Sequence, residues 1–288
     1  MSLSVVSSKE GDHGAYEPLV DHLHFVSQEN NDQKYKVVQW LHFAASLVFL
    51  TLLIAFAATD ADATIKPVVL KPVRCEDFCE VEIDRQGDFN FRFLIPLILA
   101  IAYLDHLVCF LVCYLEEFTA DLWMFSICSN PLRWIEYSVT FSLTTVIVAI
   151  LSGVMDVHIW FLLYLTTALG MGLWQAMELL PRVERPDIWP VSFRALRQLC
   201  FWLGAAAVYL PWLVMICHYA RMVDDDTPSF VSAGVLGLCA VYAALGVNAF
   251  LSKVTYWYDF CTSEVVYIAL SLVAKLYLAI NIYAGLKK

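Results

Sequence analysis

The chain has 288 residues, of which 60% are hydrophobic and only 16% are charged. Soluble globular domains carry about 25% charged residues, so this composition excludes an ordinary soluble protein and indicates a membrane protein. The net charge of -10 argues against a nucleic-acid partner, because binding to phosphates requires a basic surface.

The N-terminal region is polar and acidic, without the apolar segment of a secretory signal peptide. We therefore expect residues 1–33 to form a cytoplasmic tail and residues 34–288 to form one membrane domain. Apolar segments long enough to cross a bilayer follow one another in that domain. They are Lys36–Thr59, Phe91–Leu115, Pro131–Leu151, Val157–Leu179, Leu199–Tyr219, Phe230–Leu251 and Phe260–Leu286. Short connections between most of them predict an all-α, seven-transmembrane helix bundle.

The connection between the first two segments, residues 60–90, is longer than the others. Apolar and polar residues alternate over positions 79–84, which predicts a small β-hairpin in this loop, outside the membrane. Cys75 and Cys79 lie in the same loop and could form a disulfide in an oxidising compartment. The sequence leaves open whether they pair with each other.

Lysine and arginine residues concentrate on one side of the predicted bundle. That side carries Lys34, Lys36, Arg133, Arg182, Arg185, Arg194, Arg197 and Lys253. The opposite side has a mainly acidic loop and Arg221 beside three aspartates, although Lys287 and Lys288 pull the other way. The positive-inside rule therefore predicts a cytoplasmic N terminus, with the 60–90 loop and the C terminus extracellular. Seven-helix receptors have the reverse orientation.

Lys275 lies near the middle of the seventh segment. A charged side chain at the bilayer centre costs at least ~2.5–3.5 kcal/mol, and this lysine is too deep to reach the interface easily. One interpretation is a structural lysine paired with a carboxylate. The functional interpretation is a desolvated lysine whose amine forms a Schiff base with an aldehyde.

A protonated Schiff base requires a nearby negative charge, which Glu136 can supply. This residue lies roughly 7.5 Å from the cytoplasmic end of the third segment, at 1.5 Å per residue. Ser271 is one helical turn from Lys275 on the same side, so the three side chains can converge. Arg133 and Thr140 share a helix face with Glu136. We expect Arg133, near the interface, to be a solvated anchor rather than part of a pocket.

His42 and His106 lie at compatible depths in the first two segments, with Asp105 beside His106. A lone buried histidine is more often a structural core residue, but two histidines and an acid favour a polar network able to hold a proton. Other polar residues near segment ends are expected at the interface: His158, Glu178 and His218. None of the histidines has metal-binding spacing, so no metal site is predicted.

Together, these residues resemble the heliorhodopsins. The resemblance rests on Lys275 with a serine four residues before it, and on the third-helix run Ser129–Ser138, SNPLRWIEYS. It also includes the two histidines and the long first loop, and it covers nearly the whole chain after the tail. It implies a rhodopsin-like fold, an inverted orientation that agrees with the loop charges, and a homodimer in which the first loop helps to cover the partner.

The resemblance also implies a cofactor and residue roles. Lys275 would bind all-trans retinal as a protonated Schiff base, and Glu136 would be its sole carboxylate counterion. The remaining positions would surround them, with Ser271 near the Schiff base, His42, His106 and Asn130 in a polar cluster, and Tyr137 and Thr140 lining the retinal pocket.

The third helix bears on the mode of action. A proton pump would carry a donor about three turns beyond Glu136, where this chain has the apolar residues 146–148. We therefore favour light sensing, with an unknown signalling partner. The alternative is light-gated proton or ion transport, with relay groups Asp105, His106, Glu178, Glu116 and Glu117. A third possibility is a non-photoactive seven-helix receptor. We find no pairing of nucleophile and base that supports an enzyme.

Overall fold

The computed structural model describes residues 17–58, 64–65, 68–72, 81–85, 89–90, 93–119, 129–180, 192–223, 227, 229–257 and 259–286. Cys75 and Cys79 lie outside the described residues, as do the first sixteen residues and the terminal lysines, Lys287 and Lys288. The side chains of Glu116 and Glu117 are likewise outside them.

The described residues include seven α-helices, and each contains an apolar span of membrane length. They are α1 (Glu17–Ala57), α2 (Leu94–Thr119), α3 (Pro131–Leu151), α4 (Val157–Leu179), α5 (Phe193–Met222), α6 (Ser229–Ala249), which continues as a π-helix (Phe250–Val254), and α7 (Phe260–Leu286). The prediction of a seven-span helical membrane protein is therefore confirmed.

Several helices extend beyond their predicted spans, and α1 and α5 extend the furthest. α1 begins at Glu17, inside the segment expected to be a tail, and α5 runs from Phe193 to Met222 rather than from Leu199 to Tyr219. The added turns carry polar and charged residues, so hydropathy alone did not include them. Helices are limited by their backbone caps rather than by the hydrocarbon thickness.

Side-chain caps fix the starts of several of the described helices. Asn130 accepts a hydrogen bond from the backbone N–H of Arg133, and Pro131 occupies the first turn of α3, where its missing N–H costs nothing. Asp156 caps α4 and Ser192 caps α5 in the same way.

The long connection between α1 and α2 contains four short strands among its described residues. They are β1 (Thr64–Ile65), β2 (Val68–Pro72), β3 (Val81–Arg85) and β4 (Phe89–Asn90). β1 pairs with β4 and β2 pairs with β3, both antiparallel, with Leu70 opposite Ile83.

α3 is the central helix of the bundle. It packs against α2 and α4, and it also contacts α5 and α6. Inside its apolar span 72% of the residues are buried, compared with 28% to 44% in the other six spans. A polar side chain on α3 is therefore enclosed by protein on nearly every side, which matters for Glu136.

α4 and α5 approach closely through two glycines. A Cβ atom added to Gly204 would lie 2.9 Å from the carbonyl oxygen of Gly170 and 2.6 Å from Trp174. By contrast, α5 and α6 leave an apolar cleft of about 420 Å³ between them, lined by residues that include Tyr209 and Gly246.

Candidate functional site

The structure brings Lys275, Glu136 and Ser271 together inside the bundle. Nζ of Lys275 lies 2.8 Å from Oε1 of Glu136, and it donates a hydrogen bond of 2.5 Å to Oγ of Ser271. The lysine and glutamate side chains are 3% and 2% exposed. A buried charge is stable only with a close counter-charge and hydrogen bonds. Glu136 and Ser271 supply these to Lys275.

Glu136 has a second partner on its own helix. Thr140, one turn along α3, donates a hydrogen bond of 2.6 Å to Oε1 of Glu136. The other carboxylate oxygen, Oε2, is buried without a hydrogen-bond partner among the described residues. Oε1 of Glu136 is thus fixed by Thr140 and Lys275, and Oε2 remains able to accept a hydrogen bond from a further group.

Aromatic rings enclose the amine of Lys275. Its Nζ lies 5.3 Å from the ring centre of Phe49, 5.4 Å from that of Tyr137 and 5.8 Å from that of Phe141. The hydroxyl of Tyr137 donates to the backbone carbonyl of Tyr267, over 3.1 Å, so its ring is fixed in place. The faces of these rings attract a positive charge and keep water away from it.

An aromatic line leads from this site toward α5 and α6. Tyr242 packs edge-on against Phe141 with ring centres 4.5 Å apart, and the ring centre of Trp212 lies 4.5 Å from that of Tyr242. Tyr209, which lines the cleft between α5 and α6, donates a hydrogen bond of 2.9 Å to the carbonyl of Tyr242. The amine is therefore connected to the cleft by apolar, rigid side chains.

His42 and His106 face each other between α1 and α2. Their Nδ1 atoms are 2.8 Å apart, so one ring must donate and the other accept. The ring of Phe49 stacks on His106 with ring centres 5.3 Å apart, and its centre also lies 5.3 Å from Nζ of Lys275. Phe49 therefore lies between the histidine pair and the amine of Lys275. The Nε2 atoms of both histidines are buried without a hydrogen-bond partner among the described residues.

The prediction that Arg133 is a solvated anchor is wrong. The residue is 3% exposed, and its guanidinium forms ion pairs with Glu178, at 2.6 Å, and with Glu264. It also lies over the ring of Tyr267, 4.0 Å from the ring centre. The sequence placed Arg133 close to the helix end, but α3 starts deep in the bundle, so its first turn is already enclosed.

The prediction that Glu178 lies at the interface is also wrong. Its side chain is 0% exposed and lies 2.5 Å from Nζ of Lys253, while the indole N–H of Trp134 donates to it. Arg133, Glu178, Lys253 and Glu264 form a buried group that we call the charge cluster. It joins α3, α4, the π-helix and α7 at one level of the bundle.

Sequence reasoning missed Lys253 and Glu264 as members of this cluster. A signal was present, because two cations and two carboxylates occur at similar depths on the same side of the membrane. Each charge was considered alone, and an isolated charge near a helix end is usually solvated. The indication of pairing was that two cations and two carboxylates occur at the same depth.

Asn130 lies beside the charge cluster. Besides capping α3, it donates from Nδ2 to Oε2 of Glu264 over 3.3 Å and lies 3.7 Å from the sulfur of Cys109. It does not contact the histidine pair in the described structure. Its position therefore links the start of α3 to α7 and α2.

Comparisons with known proteins place these features in context. A family model described as Heliorhodopsin matches residues 33–286. No curated protein matches the chain. Among solved structures, the crystal structure of a light-driven proton pump from Leptosphaeria maculans is similar, with 12% sequence identity and a TM-score of 0.44. The match covers 88% of this chain and 94% of that chain.

Proposed function

The chain belongs to the heliorhodopsin family, and from that membership we propose that it is a light-sensing retinal protein. Lys275 would hold all-trans retinal as a protonated Schiff base, with Glu136 as the counterion. The observation that carries this proposal is the buried pair in which Nζ of Lys275 lies 2.8 Å from Oε1 of Glu136.

The surrounding residues fit such a group. Oε2 of Glu136 is a buried acceptor without a partner among the described residues, next to an amine. The aromatic line through Phe141 and Tyr242 provides the apolar, rigid contacts that a conjugated hydrocarbon requires. The cleft between α5 and α6 adds apolar space at the end of that line.

Each side chain at the site would have a distinct task. When bound, retinal would absorb light and isomerise. Glu136 places a carboxylate 2.8 Å from the lysine nitrogen and would act as the counter-charge of a protonated Schiff base there. Ser271 orients that nitrogen, and Thr140 holds the carboxylate. The rings of Phe49, Tyr137 and Phe141 exclude water, which strengthens the attraction between the two charges.

Sensing is favoured over pumping by the composition of α3 beyond the site. Val146, Ile147 and Val148 are buried, at 9%, 0% and 0% exposure, in the region where a pump would carry a proton donor. The histidine pair could hold a proton near the site instead. We therefore propose that light changes the shape of the bundle and that an unidentified partner reads this change.

The proposal includes an orientation and an assembly. The charges in the loops favour a cytoplasmic N terminus, an extracellular 60–90 connection and an extracellular C terminus. The family resemblance supports a homodimer in the lipid bilayer. Protease protection of N-terminal and C-terminal epitope tags in sealed vesicles tests the orientation, and an N-terminal tag on the extracellular side with the C-terminal tag on the cytoplasmic side would overturn it.

Retinal attachment can be tested directly. The protein is purified with all-trans retinal, its visible spectrum is recorded, and the bond is reduced with borohydride before peptide mass spectrometry. We expect the retinyl mass on the peptide that contains Lys275. Lys253 is a matched control, because it is also a buried lysine, at 3% exposure, but forms part of the charge cluster. A covalently bound visible chromophore in Lys275→Ala would overturn the proposal.

Light-gated transport is the competing mode of action. Photocurrents in a voltage-clamped cell that expresses the protein separate the two modes, since a sensor that works through shape alone produces no sustained current. A robust current that depends on light and disappears in Lys275→Ala would defeat the sensing proposal and leave the retinal assignment intact.

A further inference from the structure

Asp105 is a titratable residue that the proposed mechanism does not use. It lies near the centre of the α2 span, Leu94–Leu115, so roughly 15 Å of helix separates it from either end. It is half-buried, and at that depth of a bilayer any part that protein leaves uncovered would meet hydrocarbon rather than water. Its chemistry is therefore set by its protein neighbours.

No cation pairs with Asp105 among the described residues. Buried ion pairs join Lys275 to Glu136, and the charge cluster satisfies its own cations and carboxylates. The described ion pairs do not include Asp105, and its polar contact is the thiol of Cys109, with 3.9 Å between Sγ and Oδ1. An unpaired carboxylate in an apolar medium is so costly that the group takes up a proton instead.

Asp105 is nevertheless connected to the charge cluster through polar contacts. Cys109 is 0% exposed and also contacts Asn130, whose Nδ2 donates to Glu264 of the charge cluster. A line of polar groups thus runs from Asp105 through a thiol and an amide to a carboxylate.

The charged groups that face Asp105 come from two neighbouring helices. α3 contributes Glu136 and Arg133, and α7 contributes Lys275, all within electrostatic range. Neutralising Glu136 would therefore alter the electrostatic potential at Asp105. On α1, His42 is a further titratable group near Asp105, because it contacts His106, the residue that follows Asp105 in the chain.

We propose that Asp105 is a second proton-holding site of this protein. It is a neutral carboxylic acid in the dark, in contact with the thiol of Cys109, and this contact changes when the charge on Glu136 changes. The dark protonation stands on the structure alone. The response to light rests on the proposed function.

The dark protonation is tested without retinal. The full chain is labelled with carboxyl-¹³C aspartate, placed in lipid vesicles at neutral pH and studied by solid-state NMR. We expect one aspartate carboxyl signal at the position of a neutral acid, and we expect Asp105→Asn to remove it. Finding only carboxylate signals, or a neutral-acid signal that persists in Asp105→Asn, would overturn the proposal.

The response to light is tested by infrared difference spectroscopy of the pigment. We expect a carboxylic-acid C=O band that shifts with the aspartate label and is absent from Asp105→Asn. Cys109→Ala should move this band, whereas Cys113→Ala, one turn further along α2, should leave it in place. The two cysteine variants also keep the test valid if Asp105→Asn does not fold.

The outcomes separate this inference from the proposed function. If the wild-type chain forms no pigment with retinal, the proposed function fails, and the NMR result still decides the dark protonation. If the pigment forms but the illuminated spectrum has no aspartate-sensitive C=O band, Asp105 does not respond to the charge on Glu136 and that half of the inference is wrong.

Discussion

Thr140 donates its hydrogen bond of 2.6 Å to Oε1 of Glu136, the same oxygen that lies 2.8 Å from Nζ of Lys275. Residues four apart on an α-helix stand on the same face, so α3 itself places the donor beside the acceptor. A single carboxylate oxygen thus receives both a hydroxyl and an ammonium group. The electrostatic potential at Nζ of Lys275 therefore depends on the hydrogen bond from Thr140 as well as on the ion pair with Glu136.

Glu136→Gln removes that charge. A negative group near the chromophore stabilises its positive ground state, so its loss should shift the absorption of the retinal-bound protein to the red or leave an unprotonated pigment that absorbs in the near ultraviolet. The measurement is a visible spectrum at neutral pH. A spectrum that matches the wild type would show that Glu136 is not the counterion.

Thr140→Val removes the hydroxyl but keeps the carboxylate. Without this hydrogen bond the negative charge is less dispersed, so we expect a blue shift that is smaller than the effect of Glu136→Gln. Thr144→Val is the matched control, because the Thr144 hydroxyl donates to the backbone carbonyl of Thr140, over 2.8 Å. Equal shifts in the two variants would contradict a specific role for Thr140.

The charge cluster should dominate the stability of the bundle. Arg133→Met leaves Glu264 without its cation, and breaking a buried ion pair in this way costs about 3–5 kcal/mol. Lys253→Met should cost less, because Glu178 keeps Arg133. Thermal unfolding in detergent measures both, with Arg194→Met, at an exposed arginine of α5, as the control. The reverse order of the two cluster variants would contradict the arrangement described above.

Lys34 and Asp259 form an ion pair of 2.5 Å between α1 and the start of α7. Partial burial alone would raise the pKa of Asp259, but hydrogen bonds from Lys34 and Thr262 outweigh it and hold the pKa at about 2, below the ordinary 3.8. The stabilisation is therefore fully present above about pH 4 and is lost as the pH falls toward 2.

Asp259→Asn tests this pH dependence. Asparagine can still cap α7 through its side-chain oxygen, as Asp259 does for the N–H of Thr262, so the variant removes mainly the charge. We expect a lower unfolding temperature than wild type above about pH 4, with the difference shrinking as the pH approaches 2. A difference that stays constant over this range would exclude the ion pair as its cause.

The contact of α4 with α5 should not tolerate a larger residue at its centre. In Gly204→Ala the new methyl would lie 2.6 Å from Trp174 and 2.9 Å from the carbonyl of Gly170, so the helices must move apart at a cost of about 1–3 kcal/mol. Gly172→Ala is the control on the same pair of helices, since its Cβ meets nothing within 4 Å. There, alanine should be neutral or stabilise the helix by up to about 1 kcal/mol. Equal unfolding temperatures for the two variants would contradict the close approach.

The helical architecture was predictable because long apolar segments have few alternatives in a bilayer. The α4 span, Val157–Leu179, matches the sequence prediction at both ends. The polar turns of α1 and α5 were not predictable in this way, since hydropathy records the hydrocarbon region and not the helix beyond it.

The part of the candidate site that could be predicted is the part that follows from how deep each residue lies in the membrane. Lys275, Glu136 and Ser271 lie at one level, and the structure brings them together. The prediction for Arg133 was wrong because the position of a residue along a helix does not say which way its side chain points. That orientation decides whether the side chain reaches the lipid headgroups or the bundle interior. That these residues bind retinal stays a prediction.

The π-helix at the end of α6 has a consequence for how the protein can change over evolution. A π-turn contains one residue more than an α-helical turn, so the widened turn that begins at Phe250 changes the angular direction of the later side chains in Phe250–Val254, including Lys253. The inward direction of Lys253 is thus a property of chain length as well as of residue type. Deleting Leu251 or Ser252, which precede the lysine, would turn it away from Glu178 while leaving its chemistry intact, and Glu178 would then keep Arg133 as its cation.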